Sequence, residues 1–134
     1  MATKRELEDQ AKALILPNPE EAVKLYHEIY DTFQEQFNNW DAFYAIKALR
    51  ASTINELKWA SDLVEKYKEE KVCNLYGWLV FDKCIKGKNR SEILSYKNYI
   101  SKLPEICLQK NLKEENSFPC PTTISVLKLC DAHA

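Results

Sequence analysis

The chain has 134 residues, of which 46% are hydrophobic and 29% charged, and its net charge is −1 at pH 7. That size and composition suit one globular domain with a core of its own. The balanced charge lacks the basic excess of a dedicated nucleic-acid binder, and two glycines with five prolines leave little for the tight turns of an all-β protein.

The first predicted helix starts at Thr3, where Thr3 and Glu6 have capping-box spacing and Leu7, Ala11, Leu14 and Ile15 make an apolar stripe. Leu16-Pro17-Asn18-Pro19 ends it, since residues before proline avoid the helical region. The next start is plainer still. Asn18 can cap, Pro19 suits the first helical position, and Glu20 and Glu21 sit at the positive end of the dipole. Ala22, Leu25, Tyr26, Ile29, Tyr30, Phe33 and Phe37 carry this helix from Pro19 to about Gln36, and Asn38-Asn39 breaks it.

Trp40 to about Ala51 is the third helix, with Trp40, Phe43, Tyr44, Ala48 and Leu49 on one broad face. Thr53 and Glu56 have the spacing of a capping box for a fourth helix, Ile54 to about Lys68. A charged joint, Lys68 to Lys71, leads into VCNLYGWLVFDKCI, residues 72 to 85, in which ten of fourteen residues are apolar. A helix apolar on every side is a buried one, so the rest of the chain is expected to pack around this segment, which is too short to span a membrane. Gly77 in its middle costs about 1 kcal/mol relative to alanine and suits a close approach by another backbone. Gly87 is placed to end this helix as a left-handed cap.

Asn89, with Glu92 three residues on, caps a sixth helix with Ile93, Leu94, Tyr96, Tyr99, Ile100 and Leu103 in its stripe, and Pro104 ends or kinks it. Residues 111–120 read as a loop, and 121–131 as a terminal helix whose apolar residues could hold a second copy. The abrupt end after it is expected of either a fragment of a longer protein or a last helix that serves as a cap.

The helices fall into pairs, about 3–36, 40–68 and 72–103. Trp40, Phe43 and Tyr44 precede Cys73, Tyr76 and Gly77 by 33 residues, and Ala22, Leu25 and Ile29 precede Leu57, Ala60 and Val64 by 35. A period of about 34 is that of tetratricopeptide repeats, and the chain resembles a degenerate member of that class, best at Tyr76-Gly77, Val80, Ala60, Leu63 and Pro104. Ala11 and Tyr44 depart from it where the repeat prefers glycine. The order WDAFYAIKALR, LYGWLVFDKCIK, SFPCPTTISVLKLC also resembles a helical-repeat domain of large bacterial conflict and defence proteins. The resemblance implies an all-α, right-handed α-solenoid of about seven helices within a single domain, used as a scaffold or sensor.

Chemistry-bearing residues do not converge. His27 and His133 lack the further ligands a metal site needs. No glycine-rich phosphate loop or metalloprotease motif is present. The five cysteines are odd in number and form no C-x-x-C pair, as expected of reduced thiols in a cytoplasmic protein. The expected function is therefore a non-catalytic scaffold or adaptor, without cofactor, metal or membrane, that grips a peptide or partner domain. On helix position, Asp41, Tyr44, Lys47, Arg50, Asn74 and Asp82 are expected to line its concave face. The alternative is association with nucleic acid through Lys83, Lys86, Lys88 and Arg90, against the plainer reading of a solvated helix end that complements its dipole.

Overall fold

The structure, a computed structural model, describes residues 3–67, 69–87 and 89–101. The described residues form six α-helices and one short 3-10 helix, with no strand among them: α1 Lys4–Leu14, α2 Pro19–Thr32, the 3-10 helix Gln34–Gln36, α3 Asn39–Ala51, α4 Leu57–Lys66, α5 Glu70–Ile85 and α6 Arg90–Ser101. The all-α expectation holds. The chain divides into two compact units, Met1–Asn55 and Glu56–Ala134. The expected loop at 111–120 and terminal helix at 121–131 lie outside the described residues, as does Pro104.

In the first unit, α1 and α2 are separated by a connection too short for anything but an antiparallel hairpin. The Thr3 hydroxyl accepts the Glu6 N–H at 3.2 Å to start α1, and the Asn18 side chain accepts the Glu21 N–H at 3.4 Å to start α2. α2 ends at Thr32, earlier than its apolar stripe predicts, and the 3-10 turn follows. Phe37, past that turn, is buried and meets the Tyr30 ring edge to face at 5.0 Å.

α3 then runs back along α2. Its small residues Ala42, Ala45 and Ala48 are fully buried, which lets the two backbones approach. The Glu20 carboxylate, at the start of α2, accepts from both the N–H and the hydroxyl of Thr53, just past the end of α3, each at 3.1 Å. Start beside end means that α2 and α3 are antiparallel, so α1 and α3 point the same way. Thr53 does not form the expected capping box with Glu56; α4 begins at Leu57 without a side-chain cap. Its hydroxyl and amide are taken by a carboxylate 33 residues earlier.

In the second unit, α5 packs against both α4 and α6, and α4 also meets α6. Val72, Cys73, Tyr76, Leu79, Val80 and Cys84 of α5 are buried, as is Gly77. The expectation of a buried helix at 72–85 therefore holds for most of its circumference, with Trp78 and Ile85 as its exposed large residues. The Tyr76 hydroxyl donates to the Tyr99 backbone carbonyl at 3.1 Å and ties α5 to α6. Asn89 caps α6 as predicted, its side chain accepting the Glu92 N–H at 2.8 Å.

Gly87 is not the left-handed cap that the sequence suggests. The helix closes at Lys86 in an ordinary conformation (φ −92°, ψ 1°), with the Gly87 N–H donating to the Cys84 carbonyl at 3.0 Å. What requires glycine there is space: a Cβ would stand 2.7 Å from Ile93 Cγ1 and 3.1 Å from the Cys84 oxygen. The residue lets the first turn of α6 fold back onto the end of α5.

Candidate functional site

Side chains of α1 and α3 meet at two places, Lys4 with Asp41 and Lys12 with the Tyr44 ring. α3 starts with a complete capping box: Asn38 Oδ1 accepts the Trp40 and Asp41 N–H groups at 2.9 and 3.1 Å, and Asp41 Oδ2 accepts the Asn38 N–H at 3.0 Å. That same Oδ2 lies 2.8 Å from the Lys4 ammonium of α1, which also pairs with Glu8 one turn along. Asp41 is only 3% exposed. Its carboxylate is thus spent on the fold, as a helix cap and as the clasp between α1 and α3. It is not free to face a partner, which corrects its expected place on a binding surface.

Partial burial lowers the Lys4 pKa, but the hydrogen bonds and charges of Asp41 and Glu8 outweigh it and leave the ammonium above the ordinary lysine value. Beneath the clasp lies Tyr26 of α2, fully buried, with a hydroxyl that has no hydrogen-bond partner. Burial pushes the Tyr26 pKa up strongly, and the charges of Asp41 and Glu8 and the neighbouring Tyr44 push it further. Tyr76 in the second unit is raised chiefly by burial too, against an opposing hydrogen bond from Ser61.

The sign of the linkage is the same for all three groups. Each holds its proton more tightly folded than unfolded, so its contribution is complete below its unfolded pKa, near 10.0 for the tyrosines, and is lost as pH rises beyond it. Stability should therefore be level between about pH 7 and 9 as far as these groups decide it, and should fall above about pH 10. Replacing Tyr26 by phenylalanine removes an unsatisfied hydroxyl and should be neutral or stabilising by up to about 1 kcal/mol at pH 7. It should also flatten part of the alkaline loss. Urea midpoints of both proteins across pH 7 to about 11 check this; a loss above about 1 kcal/mol at pH 7 would mean that the hydroxyl is bonded in solution.

On the outer side of α3 stand three rings. Trp40 meets Phe43 edge to face at 5.9 Å, and Phe43 meets Tyr44 in the same way at 5.2 Å. Trp40 is 54% exposed. Two ammonium groups lie near the Tyr44 ring, Lys12 from α1 at 4.6 Å and Lys47 from α3 at 5.9 Å from its centroid. Both lysines are exposed side chains. Lys47 and half-buried Tyr44 thus belong to one patch. Arg50 is half-buried in the last turn of the same helix. Trp40 and Lys12 were not among the expected binding residues. Trp40 carried the signal of an apolar helix start, which reads as core, and Lys12 joins the patch only through tertiary packing.

The other expected binding residues, Asn74 and Asp82, lie on α5 in the second unit, and Asp82 is half-buried. Of the alternative basic patch, Lys83 is buried, at 8% exposure of the whole residue. Lys86 and Arg90 are exposed, and Lys88 lies outside the described residues.

Cys84 is buried and not in a disulfide, as expected of a small apolar residue. Cys73 is disulfide-bonded. This corrects the expectation that all the thiols are reduced and removes the argument from reduced thiols to the cytoplasm. No helix among the described residues is long and apolar enough to cross a membrane, and no group of three or more His, Cys, Asp or Glu there could hold a metal ion.

An open groove of about 770 Å³ runs between the start of α1 and the end of α2, lined by Thr3, Lys4, Arg5, Leu7, Glu28, Thr32, Phe33 and Gln36. No family model matches the chain, and neither a curated protein nor a solved structure matches it.

Proposed function

We propose that the chain is a non-catalytic interaction module in which helical hairpins, stacked in the manner of tetratricopeptide repeats, present a face to a peptide or partner domain. The observation that supports this reading is the parallel setting of α1 and α3. First helices of successive hairpins lie parallel in such stacks, and their exposed sides form the surface on which ligands rest. Here those sides carry Lys12 from α1 and Trp40, Phe43, Tyr44 and Lys47 from α3. Trp and Tyr side chains are among the usual energetic anchors of an interface. Burial of Lys83 argues against the nucleic-acid alternative, because it leaves little of one of the four expected cations on the surface.

Selection from a display library of random peptides on the full chain tests the proposal. Selected peptides should bind the wild-type chain and lose about tenfold or more in affinity for Tyr44→Ala, since a truncated aromatic anchor typically costs 1–2 kcal/mol or more. Peptides that bind both proteins equally would place the interaction elsewhere, and a selection that enriches nothing would remove the reading.

A further inference from the structure

We infer that the occupant of the α1–α3 patch is an acidic peptide segment, whose carboxylates pair with Lys12 and Lys47 while its apolar side chains rest on Trp40 and Phe43. The inference rests on the proposed binding face and adds the chemistry of what fills it. Lys4 and Lys12 lie on the same helix, yet they are used differently. Lys4 is half-buried and already neutralised by Glu8 and Asp41. Lys12 and Lys47 are exposed, and among the described residues neither ammonium has a carboxylate partner. They meet the Tyr44 ring instead, at 4.6 and 5.9 Å. Two cations gathered on one ring repel each other, and an incoming anion relieves that repulsion while leaving both contacts to the ring in place.

Two features favour a peptide over a single-stranded nucleic acid, which also joins negative charge to flat apolar groups. Base stacking needs open ring faces. Here Phe43 is set edge-on to both its neighbours, at 81° in each case, and Lys12 lies over Tyr44. A phosphate backbone also needs a basic track. This patch instead offers Lys12 and Lys47, two cations at one ring rather than a row of them.

Three fluorescently labelled peptides of one scrambled order test this, alike except that the charged positions hold Asp and Glu, Asn and Gln, or Lys and Arg. Titration against the full chain should show binding of the acidic peptide, weakened about tenfold by the double substitution Lys12→Glu, Lys47→Glu. Both positions are exposed, so the variant should melt with the wild type. Raised salt should weaken the wild-type complex more than the variant's. Equal binding of the acidic and neutral peptides, unchanged by the double substitution but lost in Tyr44→Ala, would overturn the acidic occupant and leave the interaction module standing. A homopolymeric single-stranded RNA that binds more tightly than the acidic peptide, through the same lysines, would overturn it in favour of nucleic acid. Failure of all probes to bind would overturn both.

Discussion

Leu79→Ala should destabilise the second unit by about 2–5 kcal/mol, while Ile85→Ala on the same helix should cost less than about 1 kcal/mol. The two side chains have the same number of carbons, so size does not separate them. Leu79 is 1% exposed and Ile85 is 53% exposed. Truncating Leu79 leaves a cavity within a helix that packs on both α4 and α6, and the surroundings can relax only in part. Truncating Ile85 removes methyl groups that water already touches, at a place where alanine is the better helix former. Urea midpoints at constant slope give both differences. Equal losses would mean that the outward and inward sides of α5 have been assigned wrongly.

Asp41→Ala should cost about 2–3 kcal/mol, and Asp41→Asn about 1 kcal/mol. Alanine removes the acceptor of the Asn38 N–H and half of the capping box, and it also breaks the clasp to Lys4. Asparagine can still accept the N–H but carries no charge for the ammonium. Lys4 retains Glu8 in either case, and its half-exposed side chain can reach water, so the loss stays below that of a stranded buried charge. Glu8→Gln, which leaves the Asp41 pair intact, should cost less than about 0.5 kcal/mol. The ordering alanine, asparagine, then the Glu8 change is the outcome to check by urea titration. An Asp41→Ala protein within about 0.5 kcal/mol of the parent would show that α1 and α3 are held together by other contacts.

What could be read from the sequence was what neighbours along the chain decide. Asn18-Pro19-Glu20-Glu21 and Asn89 with Glu92 start α2 and α6 through bonds spanning three residues, and both starts stand where the pattern put them. The all-helical class followed from the same periodicities. The misses share one cause, a competing partner far away in sequence. Thr53 had the spacing to cap its own helix, but Glu20 claims it. Asp41 was read for its place on a helix face, yet Lys4 of another helix makes it a clasp. Lys83 sits near a helix end where cations are favoured, and packing buries it all the same. Gly87 was credited with backbone freedom, whereas its role is set by the Ile93 side chain of α6. The patch around Tyr44 was half legible: Tyr44 and Lys47 share a helix, but nothing local brings Lys12 to them.

The apolar girdle of α5 bears on how the protein is born. A ribosome delivers α4 first, then α5, and only afterwards the segment that becomes α6. During that interval Tyr76, Leu79 and Val80 have a single neighbouring helix of their unit for shelter, although both neighbours pack against α5 in the finished structure. Nascent chains with such surfaces bared are prone to self-association. Gly87 leaves the room in which the turn at Ile93 then settles onto α5.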